Sequence, residues 1–191
     1  VLDCEYEFID SAVGVEQFPN LEELILNRNN LTSLDVSANS ELKVLKVNKN
    51  KLTTLDISSN IKLENLWAIS NQLRALDTQM NPALTDLYIF YNQLTSLNLH
   101  TNTKLVKLDV GSNRLTALDI YANTALNSVS ANDNQLTALD ISSNRSLTNL
   151  IVGNNQLTSL DVSTHSLGRL SVRNNQLTTI RIKEADKFMF L

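Results

Sequence analysis

The side chains best suited to catalysis are few in this chain. There are two histidines, His100 and His165, and one cysteine, Cys4. Histidine commonly serves as a general acid or base, and a cysteine thiolate can act as a nucleophile. Neither a Gly-x-Ser-x-Gly elbow nor a glycine-rich phosphate loop occurs in the sequence. Any enzymatic function therefore depends on whether the fold brings the histidines and the cysteine together.

Acidic side chains recur at regular spacing and could in principle bind a cation, because calcium takes several oxygen ligands. The row consists of Asp35, Asp56, Asp77, Asp119, Asp140 and Asp161, with Asn98 in the one odd slot. A second row stands four residues further on, at Asn39, Asn60, Asn81, Asn102, Asn123 and Asn144. Asp and Asn often bond their own backbone two residues ahead, so we interpret both rows as turn chemistry, with the Asp side chains reaching solvent. We expect no metal site and no cofactor.

Bulk composition excludes several classes of protein. A net charge of −4 argues against nucleic-acid binding, which needs a basic surface. No run of about 18 apolar residues is present, so the sequence predicts no membrane-spanning helix. The single cysteine rules out an internal disulfide framework. Because the chain starts at Val1 rather than methionine, we expect a processed or excised segment from which any export signal is already missing.

An internal repeat organises almost the whole chain. Leucines recur every 21 residues at positions 21, 42, 63, 84, 105, 126 and 147, and an eighth unit starts 20 residues later at Leu167. The shared pattern is L-x-x-L-x-(L/V/I/A)-x-x-N-x-L-T-x-L-D-(V/I)-S-x-N. Its ninth position is asparagine in all eight units, at Asn29, Asn50, Asn71, Asn92, Asn113, Asn134, Asn155 and Asn175. This is the leucine-rich repeat signature.

Alternation within L-x-x-L-x-L predicts a strand in every unit. In the second unit Leu45 and Val47 would point inward, and Val44, Lys46 and Asn48 outward. Neighbouring strands would stack at about 4.8 Å. We therefore predict a leucine-rich repeat solenoid, a curved right-handed coil with a parallel concave β-sheet and short 3₁₀ or extended convex segments. The ninth-position Asn is expected to bond its own turn and the adjacent coil.

The predicted organisation is an N-terminal cap (1–20), eight repeats (21–187), and a C-terminal cap or the start of a further segment (188–191). Tyr6, Phe8 and Phe18 are expected to act as apolar lids on the first coil, with Cys4 buried in the cap. His100 and His165 would lie in convex turns three repeats apart, about 15 Å along the stack. They cannot share a site, and we predict that the protein is not an enzyme.

The segments LTSLDVSANSEL (31–42) and LTALDISSNRSL (136–147) resemble the 21-residue repeats of bacterial internalin-type (internalin J-like) surface proteins. The resemblance covers residues 21 to about 182. It implies an exported extracellular or cell-surface protein with a protein-binding role, such as adhesion to a host surface protein. There is one departure, since the sixth position does not carry the cysteine ladder of internalin J-like repeats. It holds Leu26, Val47, Ala68, Ile89, Val110, Ala131, Val152 and Val172.

The outward positions of the predicted sheet carry the strongest functional signal. The fifth and seventh positions of adjacent units place Trp67 beside Tyr88 and Ile69 beside Phe90. Tyr91 flanks this apolar block at the strand end, and Lys46 and Asp109 border it on opposite sides. Gly111 is expected to leave a gap beside Phe90 that a ligand group could enter. These residues are the predicted ligand-binding site: Lys46, Trp67, Ile69, Tyr88, Phe90, Tyr91 and Asp109.

Exposed clusters of Trp and Tyr rimmed by charge resemble binding hot spots. A protein ligand is the first hypothesis, and a glycan also suits an aromatic platform. Two structural alternatives remain open. The rings could stack across strands and merely stiffen the sheet, or the whole chain could be a rigid spacer without a ligand of its own. We expect the protein to be a monomer.

Overall fold

The computed structural model describes residues 1–183. The predicted closing segment, 188–191, lies outside the described residues. Within residues 1–183 there are eleven short strands, and one 3₁₀ helix, Val15–Gln17, precedes the second of them. The strands are β1 (Leu2–Asp3), β2 (Glu23–Ile25), β3 (Val44–Lys46), β4 (Asn65–Trp67), β5 (Asp86–Tyr88), β6 (Lys107–Asp109), β7 (Ser128–Ser130), β8 (Asn149–Ile151), β9 (Ser159–Asp161), β10 (Arg169–Ser171) and β11 (Thr179–Arg181).

A nine-stranded parallel sheet runs along the concave side of the stack, and β9 and β11 pair separately in a two-stranded parallel sheet. The strand order of the nine-stranded sheet is β1-β2-β3-β4-β5-β6-β7-β8-β10, so each coil adds one strand beside the previous one. Pairing is in register, with Lys46 opposite Trp67, Trp67 opposite Tyr88, and Tyr88 opposite Asp109. The predicted solenoid, with its parallel sheet of stacked coils, is confirmed.

The core is built from the inward positions of the repeat. In β3 the middle residue, Leu45, is fully buried, and Val44 and Lys46 on either side are half-buried. The sixth position is buried too, including Val47 and the small Ala68. The second half of each coil contributes further buried residues, such as Leu52, Leu55 and Ile57. Since an isolated coil has no partner for these faces, the aliphatic core forms only through stacking.

The ninth-position asparagines form a buried ladder that joins successive coils, as predicted. Asn113 is representative: its Nδ2 donates to the carbonyls of Val110 (3.0 Å) and Gly111 (3.1 Å) in its own turn, and to Ile89 (3.0 Å) in the preceding coil. Its Oδ1 accepts a hydrogen bond from the N–H of Leu94 at 3.0 Å. One side chain thus satisfies backbone groups of two coils that no water reaches.

The second asparagine row differs from its predicted turn chemistry. Its six members are fully buried. Instead of bonding two residues ahead, Asn60 donates through Nδ2 to the carbonyls of Val36 and Asn39 in the preceding coil, at 3.0 and 2.9 Å. The row is therefore an inner ladder between coils. The sequence pattern could not separate it from the Asp row because both residue types favour turns.

The Asp row forms the predicted solvent-reaching turn caps. Asp140 Oδ1 accepts a hydrogen bond from the N–H of Ser142 at 2.8 Å, and Asn98 makes the equivalent bond to the N–H of His100 at 3.1 Å. Within residues 1–183 no cluster of His, Cys, Asp or Glu is arranged to hold a metal ion. The N–H and then the hydroxyl of Ser142 lower the pKa of Asp140. Serines two residues ahead lower the pKa of Asp35 and Asp56 in the same way.

These lowered pKa values predict an acid-dependent loss of stability. A carboxylate with a lowered folded-state pKa stabilises the fold above its unfolded pKa, and that contribution disappears as the pH falls through the folded value. The window therefore opens near the ordinary value of 3.8 and extends below it. In the triple variant Asp35→Asn, Asp56→Asn and Asp140→Asn, Tm measured from pH 2 to 6 should fall less steeply below pH 4 than in the wild type. Asn98 shows that an amide fits this slot. Parallel Tm profiles would contradict the prediction.

The eighth position of every repeat adopts a left-handed backbone conformation. The residues are Arg28, Lys49, Ser70, Tyr91, Ser112, Asp133, Asn154 and Asn174, with φ between 51° and 57°. This turn follows each concave strand and leads the chain toward the buried Asn. Asparagine, aspartate and glycine tolerate the conformation best. Tyrosine, arginine and lysine at this position are therefore strained, and they lie in the first four repeats.

The first 20 residues form an additional coil rather than an apolar lid. Leu2 and Asp3 in β1 pair with Leu24 and Ile25 in β2. The predicted lids are wrong, because Tyr6, Phe8 and Phe18 are 50%, 73% and 51% exposed. Tyr6 and Phe8 have positive φ angles that turn them away from the core. Cys4, predicted to be buried, is a half-buried free cysteine packed against the core.

The spacing between the seventh and eighth repeats is 20 residues instead of 21, and the structure shows how the stack accommodates the difference. Arg169 pairs with Asn149 and Leu170 with Leu150, so the concave register is kept despite the 20-residue spacing. Asn175 also keeps its place in the ladder, since its Oδ1 accepts from Leu157 N–H at 3.0 Å. The missing residue falls between His165 and Leu167, on the convex side just before the eighth repeat. The strand pairing on the concave side is therefore retained, and the change in length is accommodated on the convex side.

Candidate functional site

The predicted aromatic block lies on the concave sheet. Trp67 and Tyr88 are cross-strand partners whose ring centroids are 4.9 Å apart, with planes tilted by 54°. Ile69 and Phe90 follow them at the ends of β4 and β5, and all four side chains are half-buried. A tilted contact at this distance is favourable for aromatic rings. Cross-strand stacking, which one of the structural alternatives requires, is therefore present, and each of the four side chains remains partly exposed.

Burial raises the pKa of the Tyr88 phenol, while Lys107 nearby acts in the opposite direction. Lys107 itself forms an ion pair with Asp86 at 3.3 Å. The phenol therefore stays neutral through the physiological range. It offers a hydrogen-bonding group beside an aromatic surface and carries no charge.

Tyr91 extends the block past the end of the strand. Its ring centroid is 5.2 Å from that of Phe90, and its side chain is 60% exposed. The residue has a φ of 56°, the left-handed conformation of the eighth position. An exposed aromatic residue in this conformation contributes little burial to offset its backbone strain. Since all eight repeats share the conformation, what distinguishes this coil is the exposed aromatic ring that it carries there.

Replacing this tyrosine tests the strain directly. Tyr91→Asn should raise the free energy of unfolding by about 0.5–1 kcal/mol, because asparagine adopts the left-handed conformation more easily. Urea denaturation followed by circular dichroism measures the change. Tyr121→Asn is the matched control, since Tyr121 is 67% exposed and does not have a positive φ. If Tyr91→Asn is no more stable than the wild type while Tyr121→Asn is neutral, Tyr91 is not strained.

An open depression of about 440 Å³ lies at one side of the aromatic block. Its walls are Glu5, Ile25, Asn27, Arg28, Lys46, Asn48, Lys49, Trp67, Ile69 and Phe90. Four of the seven predicted site residues line it: Lys46, Trp67, Ile69 and Phe90. Its other walls, which come from the first two repeats and the N-terminal coil, were not predicted from the sequence. The sequence did contain a signal for these walls, because the outward fifth and seventh positions continue into the preceding repeats.

Lys46 connects the charged rim of the depression to its aromatic floor. Its Nζ lies 3.2 Å from Glu23 Oε1 and 5.7 Å from the centroid of Trp67. A lysine ammonium at this distance from an indole ring is attracted to its face. The two contacts hold the lysine stem against the sheet and keep the charge at the surface.

Asp109 lies apart from the depression, on the far side of Tyr88. Its Oδ1 accepts a hydrogen bond from Gly111 N–H at 3.1 Å, and burial raises the pKa of this carboxyl. The prediction of a gap at Gly111 is wrong. Gly111 is buried, and a β-carbon there would lie 2.9 Å from Asn132 Oδ1 and 3.3 Å from Asp109 Oδ1. The side chains of Asn132 and Asp109 already fill the space that a ligand group would need.

The histidines do not form a catalytic pair. His100 is exposed on the convex side, whereas His165 is only 2% exposed. His165 takes the slot of the inner asparagine ladder in its coil, and its Nε2 lies 3.1 Å from the carbonyl oxygen of Ile141. This contact replaces the one that an asparagine makes elsewhere in the row. His165 therefore has a structural role, which the prediction of a convex turn did not reveal.

Comparisons with known proteins identify the repeat and the fold. A family model described as leucine-rich repeat matches residues 101–122. The functional domain of InlJ from Listeria monocytogenes, which includes a cysteine ladder, superposes with a TM-score of 0.90 at 35% identity, over 94% of this chain and 43% of that one. A leucine-rich repeat protein from Leptospira interrogans gives a TM-score of 0.87 at 28% identity, over 94% and 50%.

A third similar structure, an internalin (InlF) from Listeria monocytogenes, gives a TM-score of 0.81 at 22% identity, over 93% of this chain and 59% of that one. The chain thus spans about half the length of these solved structures. No curated protein sequence matches it significantly. None of the residues 1–183 belongs to a helix long and apolar enough to cross a membrane. The chain is a leucine-rich repeat solenoid, and its repeats resemble those of internalin-type proteins.

Proposed function

We propose that the chain is a non-enzymatic protein-binding module of a bacterial cell-surface or secreted protein, and that it recognises its ligand through the concave sheet. The observation that carries the proposal is the half-buried block of Trp67, Ile69, Tyr88 and Phe90 beside an open depression. A contiguous apolar surface of this kind is unusual on a soluble protein without a partner. The resemblance to internalin-type repeats favours adhesion to a protein, for example on a host surface.

The aromatic composition of the block also supports a second candidate, a glycan ligand. Trp67 and Tyr88 present tilted ring faces, and the neutral phenol of Tyr88 could hydrogen-bond a hydroxyl group. A rigid spacer is the third candidate and requires no ligand. Cross-strand contact between Trp67 and Tyr88 is compatible with that role, whereas the strained and exposed Tyr91 is not explained by it.

The test compares the wild type with the double variant Trp67→Ala and Phe90→Ala. Both proteins are used to probe an array of extracellular proteins and an array of glycans. We expect the variant to lose at least about tenfold in affinity for the ligand, the size of effect that truncation of two hot-spot residues produces. Thermal unfolding is measured for both proteins, because each of the two side chains is partly buried and its truncation also lowers Tm.

Ile151→Ala with Arg173→Ala is the matched control. These residues occupy the same fifth and seventh positions in other coils, outside the depression. Binding that survives in the Trp67/Phe90 variant, together with a clear loss of its stability, would make the block structural. Selective binding to glycans would favour the second candidate. A wild type that binds nothing on either array would leave the spacer as the better explanation.

A further inference from the structure

We propose that the depression binds an acidic segment of a protein ligand, with an apolar side chain of that segment on the floor and its carboxylates at the rim. The inference rests on the proposed function and adds the chemical class of the ligand. It depends on three observations: the shape of the depression, the residues of its floor, and the sign of the charge around it.

The floor is apolar and positioned by the sheet. Ile25 comes from the first repeat, Trp67 and Ile69 come from the third, and Phe90 from the fourth lies at the far side. Trp67 is fixed by Tyr88 on one side, at 4.9 Å, and by Lys46 on the other, at 5.7 Å. Asn27 Oδ1 accepts from Asn48 N–H at 3.0 Å, and Asn48 Oδ1 accepts from Ile69 N–H at 2.9 Å. Each of these two asparagine oxygens therefore already accepts a hydrogen bond within the protein, and the apolar part of the floor is formed by the isoleucine and aromatic side chains.

The rim is basic, although the chain as a whole has a net charge of −4. Three cations, Arg28, Lys46 and Lys49, line the depression against one carboxylate, Glu5. Glu23 adds a second carboxylate through its ion pair with Lys46 at 3.2 Å. Among these five charged groups the cations exceed the carboxylates by one. A local reversal of the overall sign favours approach of an acidic ligand.

Two of the three cations remain available to a ligand. Lys49 is exposed and forms no ion pair within the described part of the chain. Arg28 is exposed, and its Nε lies 3.9 Å from Glu5 Oε1, a distance typical of a weak surface pair. The guanidinium also lies over the Tyr6 ring at 4.4 Å, which orients it without neutralising it. Backbone N–H groups of Arg28 and Lys49 already donate to Asn48 and Ile69. Recognition of a carboxylate therefore falls to the side chains.

Both cations stand at the left-handed eighth position of their repeats, with φ of 57° and 55°. This position follows each strand, so the two side chains lie in adjacent coils along the same edge of the depression. Three basic groups are too few for the phosphate backbone of a nucleic acid, given the acidic chain around them. A short peptide with an apolar residue between two carboxylates fits both the number of charges and the single apolar floor.

The chain has one tryptophan, so the emission of Trp67 reports directly on this depression. The probes are three blocked pentapeptides with a central phenylalanine: one flanked by two aspartates, one by two asparagines and one by two lysines, each with terminal glycines. Fluorescence titration of the wild type should show the acidic peptide binding about threefold to tenfold more tightly than the neutral one, the range expected for exposed charge pairs. The basic peptide should bind most weakly. Salt at about 0.5 M should reduce the preference.

Lys49→Glu should remove most of the preference for the acidic peptide. Lys104→Glu makes the same change of charge at an exposed lysine outside the depression and should retain the preference. Circular dichroism confirms that both variants are folded.

Equal or tighter binding of the basic peptide, or an unchanged preference in Lys49→Glu, would overturn the inference. Equal binding of the acidic and neutral peptides would also overturn it, but would leave an apolar binding surface in place. A wild type that responds to none of the three peptides rules out this ligand class. The array experiment with the Trp67/Phe90 variant decides the proposed function separately, because it makes no assumption about charge.

Discussion

Replacing Asn113 with alanine should lower the free energy of unfolding by about 3–5 kcal/mol, since each buried backbone group left without a partner costs about 1–3 kcal/mol. The substitution removes donors to the carbonyls of Ile89, Val110 and Gly111. It also removes the acceptor for Leu94 N–H. None of these groups can turn to water, because the ninth position is buried within the stack. Urea denaturation at neutral pH, followed by circular dichroism, measures the loss.

Asn127→Ala provides the matched control. Asn127 is exposed, and its side chain donates one hydrogen bond, to the carbonyl of Ser146 at 3.2 Å. The change should stay within about 0.5 kcal/mol of the wild type. Similar losses in the two variants would show that the ladder contributes no more than an exposed amide, and would refute its role in joining the coils.

Leu87→Ala should cost about 3–5 kcal/mol, because it removes a fully buried side chain from the middle of the stack and leaves a cavity. Neighbouring coils press on this position from both sides, since β5 pairs with β4 and β6. The surrounding backbone is held by the sheet and the asparagine ladder, so it has little freedom to close the space. Chemical denaturation gives the change in free energy.

The same substitution near the end of the described chain should cost much less. Leu177 is half-buried, and it packs at the edge of the core. We expect Leu177→Ala to cost less than about 2 kcal/mol, because the surface it buries is smaller and only one side of its coil is stacked within the described region. Equal losses of unfolding free energy in Leu87→Ala and Leu177→Ala would show that the position of a residue along the stack does not matter. That result would contradict stabilisation by neighbouring coils.

The fold could be predicted almost completely from the sequence because one period determines it. Once Leu45 and Val47 are placed inward, the register of every other strand follows, and the structure agrees from β2 to β8. The errors lie where residue type leaves more than one role open. Asparagine at position 60 suits a turn or a buried ladder equally well, and only the position of the preceding coil decides between them.

The first 20 residues were harder to predict for a related reason. They lie outside the repeat, so the period gave no indication of where Tyr6 and Phe8 would point. Their apolar character suggested burial, but the left-handed backbone at both residues directs them to solvent. A single sequence carries no clear signal for a positive φ at an aromatic residue.

The candidate site, too, could be predicted from the sequence only in part. The alternation of the strand was enough to place Trp67, Ile69, Tyr88 and Phe90 together on the concave face. The shape of the concave surface could not be predicted from the alternation of the strands, because it depends on which side chains fill the space between neighbouring rows. Asn132 fills the space beside Gly111, while the opening lies on the other side of the block, toward Arg28 and Lys49.

The retained register of the eighth repeat has a consequence for how such a chain can change in length. A residue lost from the convex segment leaves the pairing of β10 with β8 and the bonds of Asn175 intact. Gain or loss of a whole coil among those that carry both asparagines would likewise create no new kind of junction, since these coils are joined by the same two ladders. Equivalent positions on the concave face therefore recur at a regular spacing of about 4.8 Å. Duplication could move the aromatic block relative to either end without altering the block itself.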